Sequence, residues 1–267
     1  MVPLRFVQGC RIVAKAKGNR RLIAACISVY LVCLIALMPL NVIYRVLAPN
    51  NLPVEVLAVS GTIWQGNVVI KHSMTGQVDA KWSLQPFSLL TGSLKAQLAI
   101  DSSVFDLKSL VSINGLNQSV RLEKTKGLVT AGFINQIIAQ SKTQINGDIE
   151  LNSTDIEYNF ATGESSQANG QIVWMGGQVN YPKGRAMASA NLPMLVAKLG
   201  SENKELKVDV ATTDGVQVAN ASLKKDGWAN VAVRKAMIDL VGENWPNKVS
   251  ADAIVFEISE RIFTREL

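Results

Sequence analysis

Gln77–Asp101 reads QVDAKWSLQPFSLLTGSLKAQLAID. From Gln77 to Leu84 the residues alternate, with Val78, Ala80, Trp82 and Leu84 on one side and Gln77, Asp79, Lys81 and Ser83 on the other. A period of two places alternate side chains on opposite faces of a strand, one apolar and one wet. Ser93–Asp101 reads as a second strand, after a break containing Pro86 and Gly92.

Working outward, Pro53–Ser60, Asn67–His72, Ser119–Glu123, Gln144–Leu151 and Ile156–Phe160 also read as strands. So do Gly170–Trp174, Glu205–Ala211, Val216–Leu223, Trp228–Arg234 and Ser250–Ile258. Asn114-Gly115, Asp214-Gly215 and Asp226-Gly227 are hairpin signals, and Asn146-Gly147 is either a hairpin or a kink inside a strand. Gly132–Lys142 and Leu192–Gly200 carry helical spacing and read as short helices that cover an edge or end of a sheet. The expectation is a mainly β fold: one elongated, mostly antiparallel β-sheet domain over residues 53–267, with one or two short helices.

Ahead of that domain, Leu22–Leu40 is free of charge. As one helix it would measure roughly 28 Å, near the ~30 Å hydrocarbon core of a bilayer. The expectation is a transmembrane helix over 22–40, after a basic cytoplasmic tail (1–21) and before an exit linker (41–52). A cleaved signal peptide has a shorter apolar run and a small-x-small site, which Asn41–Asn50 does not offer. Ile23-Ala24-Ala25-Cys26 resembles a lipobox, but the apolar run follows the cysteine instead of preceding it. A buried helix of a globular domain is the remaining alternative.

Arg5, Arg11, Lys15, Lys17, Arg20 and Arg21 precede the run without any acid, so the tail reads as a cytoplasmic topology signal. The chain has 27 Lys+Arg and 21 Asp+Glu, a net charge of +6. Setting those six basic residues aside leaves 21 against 21, so the remainder is neutral. That argues against nucleic acid as a partner and for a basic flank on anionic headgroups. Cys10, Cys26 and Cys33 all lie before the β domain, which must be held by its own core without disulfides.

Ser60-Gly61-Thr62-Ile63-Trp64-Gln65-Gly66 opens the domain, Trp82, Leu84, Pro86, Leu89, Leu90 and Gly92 follow, and Gly170, Trp174 and Gly176 give a looser second copy. The tryptophans read first as structural anchors beside glycines that permit close backbone approach. This arrangement resembles the type II secretion system protein N family, from Val54 to Phe256. The resemblance implies an inner-membrane component of the machine that exports folded proteins from the periplasm across the outer membrane of a Gram-negative bacterium. Its implied partners are other type II secretion subunits and, through one helix, the lipid bilayer. A similar pattern occurs in AsmA-like envelope proteins, which makes a periplasmic lipid-binding or lipid-transfer module, with lipid in a groove along the sheet, the alternative.

No catalytic constellation stands out. His72 is the sole histidine and has no cysteine or acidic cluster beside it in sequence. No G-x-S-x-G elbow is present, and Gly61 and Gly66 lack the Lys-Ser/Thr of a phosphate loop. Asp148 and Glu150 read as solvated alternation. The expectation is a protein that is not an enzyme and uses no cofactor or metal.

Overall fold

The computed structural model describes residues 17–47 and 55–261. Thirteen strands form one sheet in the order β1 (Glu55–Gly61), β2 (Gln65–His72), β3 (Gly76–Gln85), β4 (Ser93–Ser102), β5 (Phe105–Asn114), β6 (Ser119–Val129), β8 (Ile149–Asn159), β9 (Glu164–Trp174), β12 (Leu195–Glu202), β13 (Glu205–Thr212), β14 (Gln217–Leu223), β15 (Trp228–Arg234) and β16 (Ile254–Arg261). Each pairs antiparallel with its neighbour, as the alternation predicts. The sheet leaves β1 and β16 as edges. At about 4.8 Å per strand it runs roughly 58 Å from edge to edge. A second, three-stranded sheet has the order β11 (Ala186–Leu192), β10 (Gly177–Lys183), β7 (Gln144–Ile145).

Gly147 decides how the two sheets separate. The run expected to be one strand over Gln144–Leu151 breaks there, with φ +87°, into β7 and β8. A Cβ at Gly147 would lie 2.1 Å from the Gly176 carbonyl oxygen, so only glycine allows the two backbones to meet.

The helices are α1 (Lys17–Ala36), α2 (Leu40–Leu47), α3 (Ala131–Ile137) and α4 (Lys235–Leu240). α3 overlaps the first half of the segment expected to be helical and starts one residue before it, and Asp148 Oδ1 accepts the Ala131 N–H at 2.9 Å, satisfying one of its free amides. The helix expected over Leu192–Gly200 does not form. Leu195, Ala197 and Leu199 also fit a period of two, and they pair with Trp174, Ile172 and Gly170 of β9. Pairing on both sides of β12 outweighs the local helical spacing.

The expected single helix over Leu22–Leu40 is also corrected. α1 ends at Ala36, Pro39 forms a bridge with Thr62, and α2 begins at Leu40. The charge-free part of α1, Leu22–Ala36, is roughly 22 Å long. No helix among the described residues is long and apolar enough to cross a membrane. Of the six basic residues, Arg5, Arg11 and Lys15 lie outside the described residues, and Lys17, Arg20 and Arg21 fall in the first turns of α1.

The stretch expected to be an exit linker is largely α2. Leu40, Ile43, Tyr44 and Leu47 recur at helical spacing. Leu40, Ile43 and Tyr44 are half-buried, while Asn41, Val42 and Arg45 are exposed. α2 lies against β1.

The core is thin. Among the described residues, the buried apolar side chains are Val78, Leu195, Val218, Ala232 and Ala236. Leu195, Val218 and Ala236 cluster with Trp174, Val210, Met237 and Leu240, so α4 closes one end of β9 and β12–β14.

Candidate functional site: the apolar face of the sheet

Residues directly opposed in an antiparallel pair share a face. Following the pairs from strand to strand gives a single row across the whole sheet: Val59, Val68, Ala80, Ile100, Leu107, Gly127, Leu151, Ile172, Ala197, Val210, Ala219, Val233 and Phe256. No member is polar. A parallel row, Leu84, Ala96, Val111, Leu122, Ile156 and Ala168, widens it over β3–β9. On the other face, Gln171, Lys198, Asp209 and Asn220 line up beside it. The row is half-buried along its length and exposed at Phe256, so no second layer among the described residues seals it. An apolar stripe this long exceeds the scattered exposed residues normal for a soluble surface and marks a contact surface.

The motif residues sit at the end of this face beside α2. Ser60 and Gly61 end β1, Thr62–Trp64 make the turn, Gly66 lies in β2 and Trp82 in β3. A Cβ at Gly66 would fall 2.4 Å from Trp82 Cζ2 and 2.5 Å from Leu40 Cδ1. The missing side chain therefore lets the indole and α2 settle onto the sheet together. The Trp82 indole N–H donates to the Ile63 carbonyl at 2.9 Å, fixing the β1–β2 turn. Pro86 starts a 3-10 turn over Pro86–Thr91 that Gly92 ends. An open cleft of about 800 Å³ runs along β1–β6, with Gly61, Gly66, Trp82, Leu98, Ser109 and Lys124 in its lining.

Gly170 and Trp174 lie in β9, with Gly176 just beyond it. The Trp174 indole N–H is shared between the Asn146 and Gly147 carbonyls at 3.0 and 3.1 Å. The sequence motif aligned Trp174 with Trp64. By geometry its counterpart is Trp82, because both indoles tie down a neighbouring turn. The structure does not bring the two copies together. Four strands separate β3 from β9, about 24 Å along the sheet.

Sequence reading missed Leu40, whose contact with Gly66 depends on the turn at Pro39, and Gly127, where a Cβ would lie 2.3 Å from the Asp106 carbonyl oxygen. A glycine at an apolar position of an alternating strand was the signal for Gly127.

Two groups of paired charges lie away from this row. Arg121 reaches Glu157 at 2.6 Å across β6–β8, and that bond raises the guanidinium above its usual value. Lys183 and Tyr181 of β10 both bond Glu243, just past α4, at 2.7 and 3.1 Å. These two bonds hold the Glu243 carboxyl below its usual range, and the same pairing raises Lys183. Desolvation, then the Glu243 bond, pushes Tyr181 up. His72 ends β2, and its Nδ1 accepts the Met74 N–H at 3.3 Å. Among the described residues no group of three His, Cys, Asp or Glu is placed to hold a metal.

A model of the type II secretion system protein N family matches residues 53–240, about seven-tenths of the chain. The chain belongs to that family. No curated protein and no solved structure shows a significant match. For this type II secretion system protein N family member, membership supports a role as a subunit of the secretion machinery, with other type II secretion subunits as the implied partners. The match takes in β1 through α4 and leaves α1, α2 and β16 outside.

Proposed function

We propose that this chain is a non-catalytic subunit of the type II secretion machinery, held at the bacterial inner membrane by its apolar N-terminal segment. The basic tail is cytoplasmic and the β domain periplasmic. The observation that carries the reading is the family match over residues 53–240. Membrane attachment draws support from α1, whose Leu22, Ile23, Ile27, Val29 and Tyr30 are all exposed. Apolar stretches shorter than the hydrocarbon core are accommodated by bilayer thinning, by snorkelling of flanking basic residues or by oligomerisation. The unpaired edges β1 and β16 offer a partner subunit main-chain hydrogen bonds by strand addition.

Deletion of the gene is expected to reduce release of secreted proteins, and cross-linking is expected to capture other secretion subunits. Normal release together with an absence of cross-links sinks the reading. Alkaline phosphatase fused after Arg261 is expected to be active, since it folds only outside the cytoplasm.

The thirteen-strand apolar row favours a second reading, in which the sheet carries lipid acyl chains along that face. Native mass spectrometry of membrane-extracted protein is expected to show bound phospholipid on this reading, and a lipid-free chain removes it.

A further inference from the structure

Six loops crown the end of the large sheet where α2 docks: residues 62–64, 86–92, 115–118, 160–163, 203–204 and 224–227. Their chemistry changes along the sheet. The three large apolar side chains most exposed among the described residues are Leu90 (85%), Phe87 (82%) and Leu116 (82%), all on the second and third loops. Leu89, on the second, and Phe160, on the fourth, are also exposed. At the last two loops stand Glu202, which ends β12, Asn203 and Lys204, then Lys224, Lys225 and Asp226.

The apolar tips form one unit. A Cβ at Gly92 would lie 3.0 Å from Leu116 Cδ1, so the second and third loops touch. Their polar groups bond internally: Ser88 Oγ donates to the Gln85 carbonyl at 2.6 Å and Thr91 Oγ1 to the Ser88 carbonyl at 2.7 Å. Asn114 Oδ1 accepts the Leu116 and Asn117 N–H groups at 3.0 and 3.1 Å. Groups already hydrogen-bonded leave bulk water at little penalty, whereas unpaired ones resist it. Neither Pro86–Ile100 nor Leu107–Leu122 contains an acidic residue, and Lys95 stands exposed beside the first. α1 leads into the same end of the sheet through the Pro39–Thr62 bridge.

We propose that the tips carrying Phe87, Leu89, Leu90 and Leu116 rest in the interfacial region of a phospholipid bilayer. The β domain then sits down on the membrane at its β3–β6 end, with its charged β12–β15 loops lifted into water. This rests on the membrane attachment proposed above. Apolar side chains on internally hydrogen-bonded turns with a nearby cation are the chemistry that enters the headgroup–acyl boundary, to a depth of about 5–10 Å.

The full chain with Cys10→Ser, Cys26→Ser and Cys33→Ser supplies a background for single cysteines at Leu90, Leu116 or Asn203. Each is labelled with an environment-sensitive fluorophore and reconstituted into phosphatidylethanolamine–phosphatidylglycerol vesicles. Blue-shifted emission and several-fold stronger quenching by shallow doxyl-lipid are expected at Leu90→Cys and Leu116→Cys than at Asn203→Cys. Co-flotation with vesicles but equal, water-like signals at all three sites overturns the tip contact alone. Blue-shifted tips that doxyl-lipid does not quench overturn it too, because a second copy or another protein then covers them. Loss of co-flotation overturns the attachment and the tip contact together.

Discussion

The two halves of the sheet are built to different standards. Over β9 and β12–β14, α4 and the Trp174 anchor bury Leu195, Val218 and Ala236 in a closed cluster. Over β1–β6 the same alternation produces the same apolar face, yet an open cleft runs along it and Val78 is the sole buried apolar side chain there. One half therefore spends its apolar surface on its own stability. The other leaves it available for contact. Local stability is expected to follow this division, since regions with few buried contacts open first.

The sharpest way to break the comparison is to damage the junction behind the closed half. Gly147→Val places a side chain against the Gly176 carbonyl, a backbone group that cannot step aside, and forces an unfavourable φ. A loss above about 3 kcal/mol is expected by denaturant melt. The counterpart in the open half, Gly66→Val, meets the ends of the Trp82 and Leu40 side chains instead. Its effect is expected to be smaller and confined to undocking of α2, seen as faster amide exchange in Leu40–Leu47. Equal losses at the two glycines would erase the distinction.

Core truncation probes the same contrast more gently. Val218→Ala removes atoms from a fully buried site and is expected to lose about 2 kcal/mol. Leu107→Ala, on the half-covered row, is expected to lose nearer 1 kcal/mol because water or a ligand can fill the gap. Next come the indoles. Trp174→Phe strands two carbonyls and is expected to cost about 1–2 kcal/mol, with Trp82→Phe, whose bond is exposed, costing less.

The smallest effect is electrostatic. Glu243 is held below its ordinary value near 4.5 by Lys183 and Tyr181. Its contribution is present above that ordinary value and fades as pH falls through the depressed one. Lys183, raised above 10.5, keeps its share until pH rises through that raised value. The tie between the three-stranded sheet and the segment after α4 should therefore loosen in acid. Glu243→Gln should flatten that dependence in hydrogen exchange of Tyr181 and Lys183.

Alternation in Gln77–Leu84 and Ser93–Asp101 was enough to specify strands, and the chain of such runs specified a mainly antiparallel sheet. β5 carried the same signal in Phe105, Leu107, Val111 and Ile113, but Ser109 interrupts it. β10–β12 were hidden because small residues such as Ala188 and Ala190 give weak contrast, and because Leu195–Leu199 fits either period. Only pairing with β9 and β13 resolves that ambiguity. The glycine and tryptophan positions were legible as residues needing close approach, but which indole matched which was not, since that depends on where the turns lie. The apolar row needed register, and register emerges only when neighbouring strands are in place.

Within the large sheet, β2 through β6 each pair with the strand made just before, and so do β9 and β13 through β16. Apart from the excursion through β7, β10 and β11, no strand must wait for a distant partner. A β domain that emerges from its β1 end could thus add strands in order of arrival, with loop closure kept short at each step. The exposed edge would simply move forward with the growing sheet, leaving β16 at that end, and β1 at the other, to await a neighbour from outside.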